Sequence, residues 1–210
     1  MPLVKKITVK GGVVGIWQLS EKPGEFGNLQ LSSADSAKFN EITYEKRKVE
    51  FLAVRALLLE LAGERCEIGY HPDGRPYLPN KKIEISISHS KDFVAVILNK
   101  NQAGIDIEVE GREINKIAKK FLSGYELLCI EKSTDKERSL LLYWCAKEAI
   151  FKTTRHQGVD FRKQIAIKPF KVSAEGALYA VLTVGHKNTC LTLEYRFFKN
   201  NAVVWCVYGY

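Results

Sequence analysis

Alternation of apolar and polar residues predicts most of the strands of this chain. One or two strands are expected within 1–20, and a hairpin within 83–98 whose connecting turn is 88–92. The C-terminal part repeats the pattern, and its predicted strands are 164–168, 178–184, 190–198 and 202–208.

Hydrophobic residues at helical spacing predict two long helices, 35–62 and 135–154. Gly63 is expected to end the first of them, because glycine is the usual residue just beyond a helix. Two short helices, 112–121 and 124–132, are expected between the hairpin and the second long helix. A helix followed by a hairpin thus occurs twice, which favours an α+β fold with two similar lobes.

Composition narrows the class of partner. The chain has 210 residues, a formal net charge of +8 and a pI of about 9.2. This excess of positive charge favours an anionic partner: nucleic acid, a membrane surface, a phosphate-rich ligand or an acidic protein. Its five cysteines lack the paired spacing of a zinc site or disulfide framework, and no stretch resembles a signal peptide or membrane span. We therefore expect a cytoplasmic protein.

The first candidate site is an acidic strand, Gly104-Ile105-Asp106-Ile107-Glu108. On a strand the side chains of Asp106 and Glu108 point to the same face, with Cα atoms roughly 7 Å apart. Carboxylate oxygens at this spacing suit a hard cation, above all Mg²⁺. The alternative is an exposed strand face with two solvated acids, and the pentapeptide alone does not separate the two.

The second candidate site lies in the helix predicted over 135–154. Glu148 and Lys152 are four residues apart and share a face, and Trp144 lies one turn earlier on the same stripe. An aromatic residue and an acid on a stripe that should be largely buried is a local conflict, and such conflicts often mark function. The alternative is a surface Glu–Lys pair worth only about 0.3 kcal/mol.

Several residues in the first half of the chain are candidates for contacts with an anion. The helix 35–62 carries a group of basic side chains, and the turn-rich stretch 70–80 and the turn of the hairpin supply further donors. These candidates are Arg47, Arg55, Arg75, Ser88 and His89. Each also has a simpler interpretation, as a solvated charge or as part of a connecting segment.

Three motifs occur in a fixed order: Gly-Arg-Pro (74–76) followed by Ile-Ser-His-Ser (87–90), then Gly-Ile-Asp-Ile-Glu (104–108), then Trp-Cys-Ala-Lys-Glu-Ala-Ile-Phe-Lys (144–152). This series resembles the 4′-phosphopantetheinyl transferase superfamily, and in particular its longer, two-lobed (Sfp-like) type, which activates surfactin synthetase and related carrier proteins. The implied fold is α+β, with each lobe a small antiparallel sheet against a long helix and a pseudo-two-fold axis between lobes 1–101 and 102–210.

The resemblance implies an enzyme, a holo-[acyl-carrier-protein] synthase. Such an enzyme transfers 4′-phosphopantetheine from coenzyme A to a serine of an apo carrier protein and releases adenosine 3′,5′-bisphosphate. By the same resemblance, Asp106, Glu108 and Glu148 hold Mg²⁺ on the diphosphate, and Lys152 contacts a diphosphate oxygen. The base for the serine hydroxyl is Glu148 or a metal-bound water that it orients, and the sequence leaves both open.

The resemblance also assigns the anion contacts. Arg75, Ser88 and His89 fall where the family binds coenzyme A, chiefly its 3′-phosphate, with Arg47 and Arg55 as further candidates in the same lobe. Lys147 belongs to the third motif and has no role that the sequence assigns.

The expected partners are coenzyme A and an acidic apo acyl or peptidyl carrier protein. We expect a two-lobed monomer that binds neither nucleic acid nor a membrane. The predicted contact for the carrier is either the helix with Lys116, Lys119 and Lys120 or the segment with Arg155 and His156.

Two other functions fit parts of the sequence. One is a non-catalytic basic module that binds acidic proteins or RNA, for which the three acids are incidental; no RNA-binding signature supports RNA. The other is a different Mg²⁺-dependent phosphoryl-transfer or hydrolytic enzyme, but the phosphate-binding loop GxxxxGK[ST] is absent.

Overall fold

The computed structural model describes residues 3–27, 29–79, 81–154 and 158–208, and it divides the chain into two compact units, 1–100 and 101–210. Both units combine antiparallel sheets with helices, so the predicted α+β class is confirmed. None of the helices in the described segments combines the length and the apolar composition needed to cross a membrane.

The first unit is built on a four-stranded antiparallel sheet. The strands of the first unit are β1 (Leu3–Val9), β2 (Gly12–Gln18), β3 (Gly69–Tyr70), β4 (Pro76–Tyr77), β5 (Glu84–His89) and β6 (Phe93–Asn99). Four of them form the sheet in the order β1-β2-β6-β5, while β3 and β4 pair separately as a short ribbon. The helices of this unit are α1 (Ser33–Glu41) and α2 (Glu45–Ala62). Helix α2 packs on β2 and β6, and its apolar side chains form the core together with those of β2, β5 and β6.

Two predictions for the first unit are wrong in detail. The helix expected over 35–62 is interrupted, because Ile42 (ψ 120°) and Tyr44 (ψ 124°) are extended. Ile42 and Thr43 are both β-branched, and such residues are poor helix formers. The predicted end at Gly63 is confirmed by its left-handed φ of 73°.

The turn of the hairpin is also shorter than predicted. Ser88 and His89 belong to β5, where they pair with Ala95 and Val94 of β6, so only residues 90–92 connect the two strands. On the strand, the two side chains point to opposite faces, with Ser88 buried and His89 exposed.

The second unit is built on a five-stranded antiparallel sheet with the order β7-β11-β10-β9-β8. Its strands are β7 (Ala103–Val109), β8 (Ile165–Ile167), β9 (Glu175–Val184), β10 (Lys187–Phe198) and β11 (Asn201–Val207). Its helices are α3 (Ala118–Phe121), α4 (Gly124–Glu131), α5 (Lys136–Thr153) and α6 (Phe161–Gln164), and a 3₁₀ turn, Ile114–Ile117, precedes α3. The strands predicted in this half of the chain are therefore confirmed.

The second unit is organised by the packing of α5 on β7 and β11. Gly104 of β7 faces α5, and a Cβ atom at this position would overlap the carbonyl oxygen of Ala149 and lie 2.5 Å from Oγ1 of Thr153. Since side chains alternate along a strand, Asp106 and Glu108 also face α5. Ile105 and Ile107 point to the opposite face, where both are completely buried.

The contact at Gly104 can be tested by adding a methyl group. We expect Gly104→Ala to lower the free energy of unfolding by about 3 kcal/mol or more, because the helix backbone has no room for the methyl group. Gly124→Ala is the matched control, since Gly124 has open space around its Cα; there we expect a change within about 1 kcal/mol. Urea denaturation of both variants measures the difference, and equal stabilities would show that β7 does not lie this close to α5.

Candidate active site

The acids of β7 are buried. Asp106 is 3% exposed and Glu108 9% exposed. The interpretation of this strand face as a solvated surface is therefore wrong. Burying ionised carboxylates is costly unless cations or hydrogen-bond donors contact them, so their partners define the site.

The partner of Asp106 is Lys152, near the end of α5. The ammonium group of Lys152 donates to Oδ1 of Asp106 at 2.7 Å and to the main-chain oxygen of Ile105 at 3.2 Å. The prediction placed Lys152 against a diphosphate oxygen, whereas here its ammonium contacts a candidate metal ligand. About a quarter of the Lys152 side chain is exposed (26%), so the ammonium lies at the border of the buried site.

The partners of Glu108 are Arg112 and Trp144. The guanidinium of Arg112 forms an ion pair with Oε1 of Glu108, and the indole Nε1 of Trp144 donates to the same oxygen at 3.1 Å. The Arg112 guanidinium also lies 5.6 Å from the centre of the Trp144 ring. The sequence interpretation did not include Arg112. The sequence signal for this ion pair is a cation four residues after an acid. In the structure the chain turns between them at Gly111, which has a left-handed φ of 82°.

Glu148 of α5 is the third acid. Burial raises the pKa of its carboxyl above the ordinary value, and the negative charge of Asp106 raises it further. The positive charges of Lys152 and Arg112 act in the opposite direction and lower the pKa. Glu148 therefore lies close enough to Asp106 for the two charges to interact, while the shared metal site predicted for Asp106, Glu108 and Glu148 stays a prediction.

The chemistry of these side chains suits a hard divalent cation. Among the residues that the structure describes, no group of three or more His, Cys, Asp or Glu side chains is arranged as a ready metal cluster. Asp106 and Glu108 are instead engaged by Lys152 and Arg112. Carboxylate oxygens are nevertheless the ligands that Mg²⁺ prefers in proteins, so the chemistry of Asp106, Glu108 and Glu148 is compatible with Mg²⁺.

In the first unit, Arg47 and His89 meet at an open cleft of about 520 Å³. Nη1 of Arg47 lies 3.2 Å from Nε2 of His89 and donates to Glu50 at 2.9 Å. The side chain of Arg47 is 60% exposed, so its guanidinium is accessible to a ligand. These two residues were predicted for the same ligand, and the structure places them side by side.

The other predicted anion contacts have structural partners of their own. Arg55 also lines the cleft, but its guanidinium pairs with Asp35 of α1 at 2.6 Å, and both side chains are buried. Arg75 donates to Asp73 at 2.8 Å within the ribbon of β3 and β4, and this contact lowers the pKa of Asp73. Ser88 is buried on the face of β5 opposite to His89. Arg47 and His89 are therefore the strongest of the five candidates.

The basic residues predicted for carrier binding lie on the surface. Lys119 and Lys120 of α3 are exposed, while Lys116, in the preceding 3₁₀ turn, pairs with Glu113 at 2.6 Å. Arg155 and His156, the alternative contact, lie outside the described residues.

Comparison with known proteins supports the resemblance that the motifs indicate. Residues 102–205 match the family model described as the 4′-phosphopantetheinyl transferase superfamily, and this range contains both β7 and α5. The longer type of that superfamily stays a prediction.

Two curated relatives are similar over most of this chain. A putative 4′-phosphopantetheinyl transferase of Haemophilus influenzae is 29% identical over 153 residues, which cover 68% of this chain but only 63% of the relative. The 4′-phosphopantetheinyl transferase HetI of a Nostoc species is 26% identical over 174 residues, which cover 73% of each protein. The chain thus spans less than two thirds of the Haemophilus relative.

The raised pKa of Glu148 predicts a pH-dependent effect on stability. A carboxyl whose pKa is raised on folding destabilises the native state once the pH exceeds its ordinary pKa. We therefore expect Glu148→Gln to be more stable than the unchanged protein at about pH 7, and this advantage to disappear near pH 4.

Unfolding free energies measured across this pH range check the effect. Glu194→Gln on β10 is the control, because Glu194 is exposed and the same substitution there should change stability little at either pH. A Glu148→Gln variant that is less stable at neutral pH would mean that the ionised carboxylate of Glu148 is favourably paired.

Proposed function

We propose that the protein is a 4′-phosphopantetheinyl transferase that modifies apo acyl or peptidyl carrier proteins. The phosphorus atom next to pantetheine in coenzyme A is attacked by a serine oxygen of the carrier, its bond to the bridging oxygen breaks, and adenosine 3′,5′-bisphosphate leaves. The observation that carries this proposal is the contact of Asp106 with Lys152, together with the charge interaction of Asp106 with Glu148, within the residues that match the superfamily model.

We assign the metal site to the same three acids. Asp106, Glu108 and Glu148 would hold Mg²⁺, which when bound supplies positive charge to the oxygens of the diphosphate. The contacts with Lys152 and Arg112 keep Asp106 and Glu108 in place on β7. With a diphosphate bound beside these acids, Lys152 and Arg112 would also offset its charge, as an ammonium or guanidinium does in other phosphoryl-transfer sites.

Glu148 is the residue we propose as the base. A carboxylate with a raised pKa accepts a proton more readily than an ordinary one, and burial and Asp106 raise the pKa of Glu148. In this role the proton of the serine hydroxyl moves to the carboxylate of Glu148 as the oxygen attacks. The half-buried position of Glu148 leaves its carboxylate within reach of an incoming substrate.

We assign the binding of a coenzyme A phosphate to the cleft of the first unit. Arg47 and His89 supply adjacent donors at its wall, and the exposed guanidinium of Arg47 suits a phosphate. Arg75 and Ser88 stay candidates from the motif, while Arg55 supports the cleft through its buried pair with Asp35.

We propose that an acidic surface of the carrier protein contacts Lys116, Lys119 and Lys120. We also propose that this protein acts as a monomer in the cytoplasm. The net charge of +8 favours the encounter with such a partner. The interpretation of the protein as a non-catalytic basic module explains less, because surface binding needs neither the buried carboxylates of Asp106 and Glu108 nor the raised pKa of Glu148.

The transfer reaction itself is tested by mass spectrometry. The protein is incubated with coenzyme A, MgCl₂ and several apo carrier proteins, and we expect at least one carrier to gain the mass of phosphopantetheine. Asp106→Asn keeps the shape of the side chain but removes its charge, so we expect transfer to fall at least about 100-fold.

The control for this variant is Glu194→Gln, which also neutralises one acid of the second unit but lies on an exposed strand position. It should keep full activity. Absence of a mass gain on every carrier would refute the transferase, whereas equal activity of Asp106→Asn and the control would refute only the metal site.

The cleft is tested through the Michaelis constant for coenzyme A. We expect Arg47→Met to raise this constant about tenfold or more with little change in kcat, because a charged hydrogen bond to a phosphate is lost. Lys46→Met removes the same charge one residue earlier on α2, where the side chain does not line the cleft, and should raise it far less. Equal effects in the two variants would show that only the overall charge matters.

A further inference from the structure

Lys147 precedes Glu148 on α5 and is completely buried. Its ammonium group donates to Oε2 of Glu126 at 2.8 Å, to the main-chain oxygen of Phe161 at 2.8 Å and to that of Ile165 at 2.7 Å. An ammonium has three protons, so these contacts use its entire donor capacity. No role of Lys147 was predicted from the sequence, and Lys147 takes no part in the proposed transfer reaction.

Glu126, the partner of Lys147, is also buried, with 1% of its surface exposed. Its Oε2 accepts from the main chain (2.8 Å) and the hydroxyl (3.0 Å) of Ser123, and its Oε1 accepts from the main-chain nitrogen of Ile167 at 3.0 Å. The pair therefore ties α5 to the start of α4, to α6 and to β8.

One of these contacts leads to the candidate active site. The ring of Phe161, whose carbonyl Lys147 holds, lies 6.3 Å from the ring of Trp144 and 5.5 Å from that of Phe151. Phe121 contacts Trp144 from another direction at 4.9 Å. These centroid distances are typical of packed aromatic pairs, so Phe161 and Phe121 fix the plane of the indole. The indole nitrogen of Trp144 in turn donates to Glu108.

We propose that the buried Lys147–Glu126 pair is a positioning device for Glu108. Lys147 holds the carbonyl of Phe161, and this contact fixes the ring of Phe161 against the indole of Trp144. The indole in turn orients the carboxylate of Glu108. The proposal rests on the proposed function in one respect: Glu108 is taken to be a metal ligand. Lys147 and Glu126 are positioning residues, since neither contacts the reacting groups in this scheme.

A purely stabilising role is a weaker explanation of the pair. Replacing a buried ion pair by neutral side chains of similar volume is often neutral or stabilising, because the charges no longer have to leave water. Removing only one partner is strongly destabilising. A neutral double replacement therefore separates the two roles: stability should largely return, whereas the orientation of Trp144 and Glu108 should not.

The test compares Lys147→Met, the double variant Lys147→Met/Glu126→Gln, and the control Leu191→Ala. The control opens a cavity in the same core at a residue of β10 that is not part of the contact path from Lys147 to Glu108. The first readout needs no activity: solvent exchange of the Trp144 indole N–H by NMR, assigned with a Trp144→Phe variant. We expect exchange about tenfold faster or more in the double variant, with Trp17 and Trp205 unchanged, and no such effect in Leu191→Ala.

The second readout is the affinity of the folded variants for Mn²⁺ in the presence of coenzyme A, measured by electron paramagnetic resonance. We expect the double variant to bind Mn²⁺ about 10-fold to 100-fold more weakly, as is usual when a residue that orients a metal ligand is lost. Leu191→Ala should bind as the unchanged protein does.

The outcomes distinguish this proposal from the proposed function. A double variant with restored stability, unchanged indole exchange and unchanged Mn²⁺ affinity would overturn the positioning role. Faster indole exchange in a protein that binds no Mn²⁺ in any form would retain the contact path but refute Glu108 as a metal ligand. Faster exchange in Leu191→Ala as well would show a general loosening of the core, which would also overturn the proposal.

Discussion

The site depends on a glycine, Gly104, at the point where β7 lies closest to α5. Because this residue has no Cβ, β7 can lie directly against the backbone of α5 at Ala149 and Thr153. This contact fixes the register between strand and helix. Asp106 and Glu108 follow Gly104 on the same face of β7. Asp106 contacts Lys152 in the last turn of α5, and Glu108 contacts Trp144 roughly two turns earlier.

Burial gives these acids their chemical character. In water, two carboxylates on one strand face would repel only weakly, whereas in a site shielded from solvent the same charges interact strongly. Lys152 and Arg112 offset part of this charge, and the pKa of Glu148 is raised, first by burial and then by the charge of Asp106. A site with remaining negative charge can bind a divalent cation, and a carboxylate with a raised pKa can accept a proton. The same property supports both proposed roles.

Sequence pattern predicted the two elements that carry the site, because β7 and α5 have strong and regular periodicities. It failed where the outcome depends on distant contacts. The burial of Lys147 depends on Glu126, which lies 21 residues earlier, and no local pattern shows that the two meet. The contact of Arg112 with Glu108 depends on a turn through Gly111. The prediction of one helix over 35–62 rested on the spacing of Leu52, Ala56 and Leu59, which carries no information on the extended backbone at Ile42 and Tyr44.

The central claim is that β7 and α5 together hold one divalent cation. Crystals grown with coenzyme A and Mn²⁺ test it most directly, because the anomalous signal of manganese locates the ion independently of any structural assumption. The claim predicts one strong peak within about 2.5 Å of carboxylate oxygens from both Asp106 and Glu148. A well-occupied manganese peak on the coenzyme A diphosphate that contacts neither residue would contradict it.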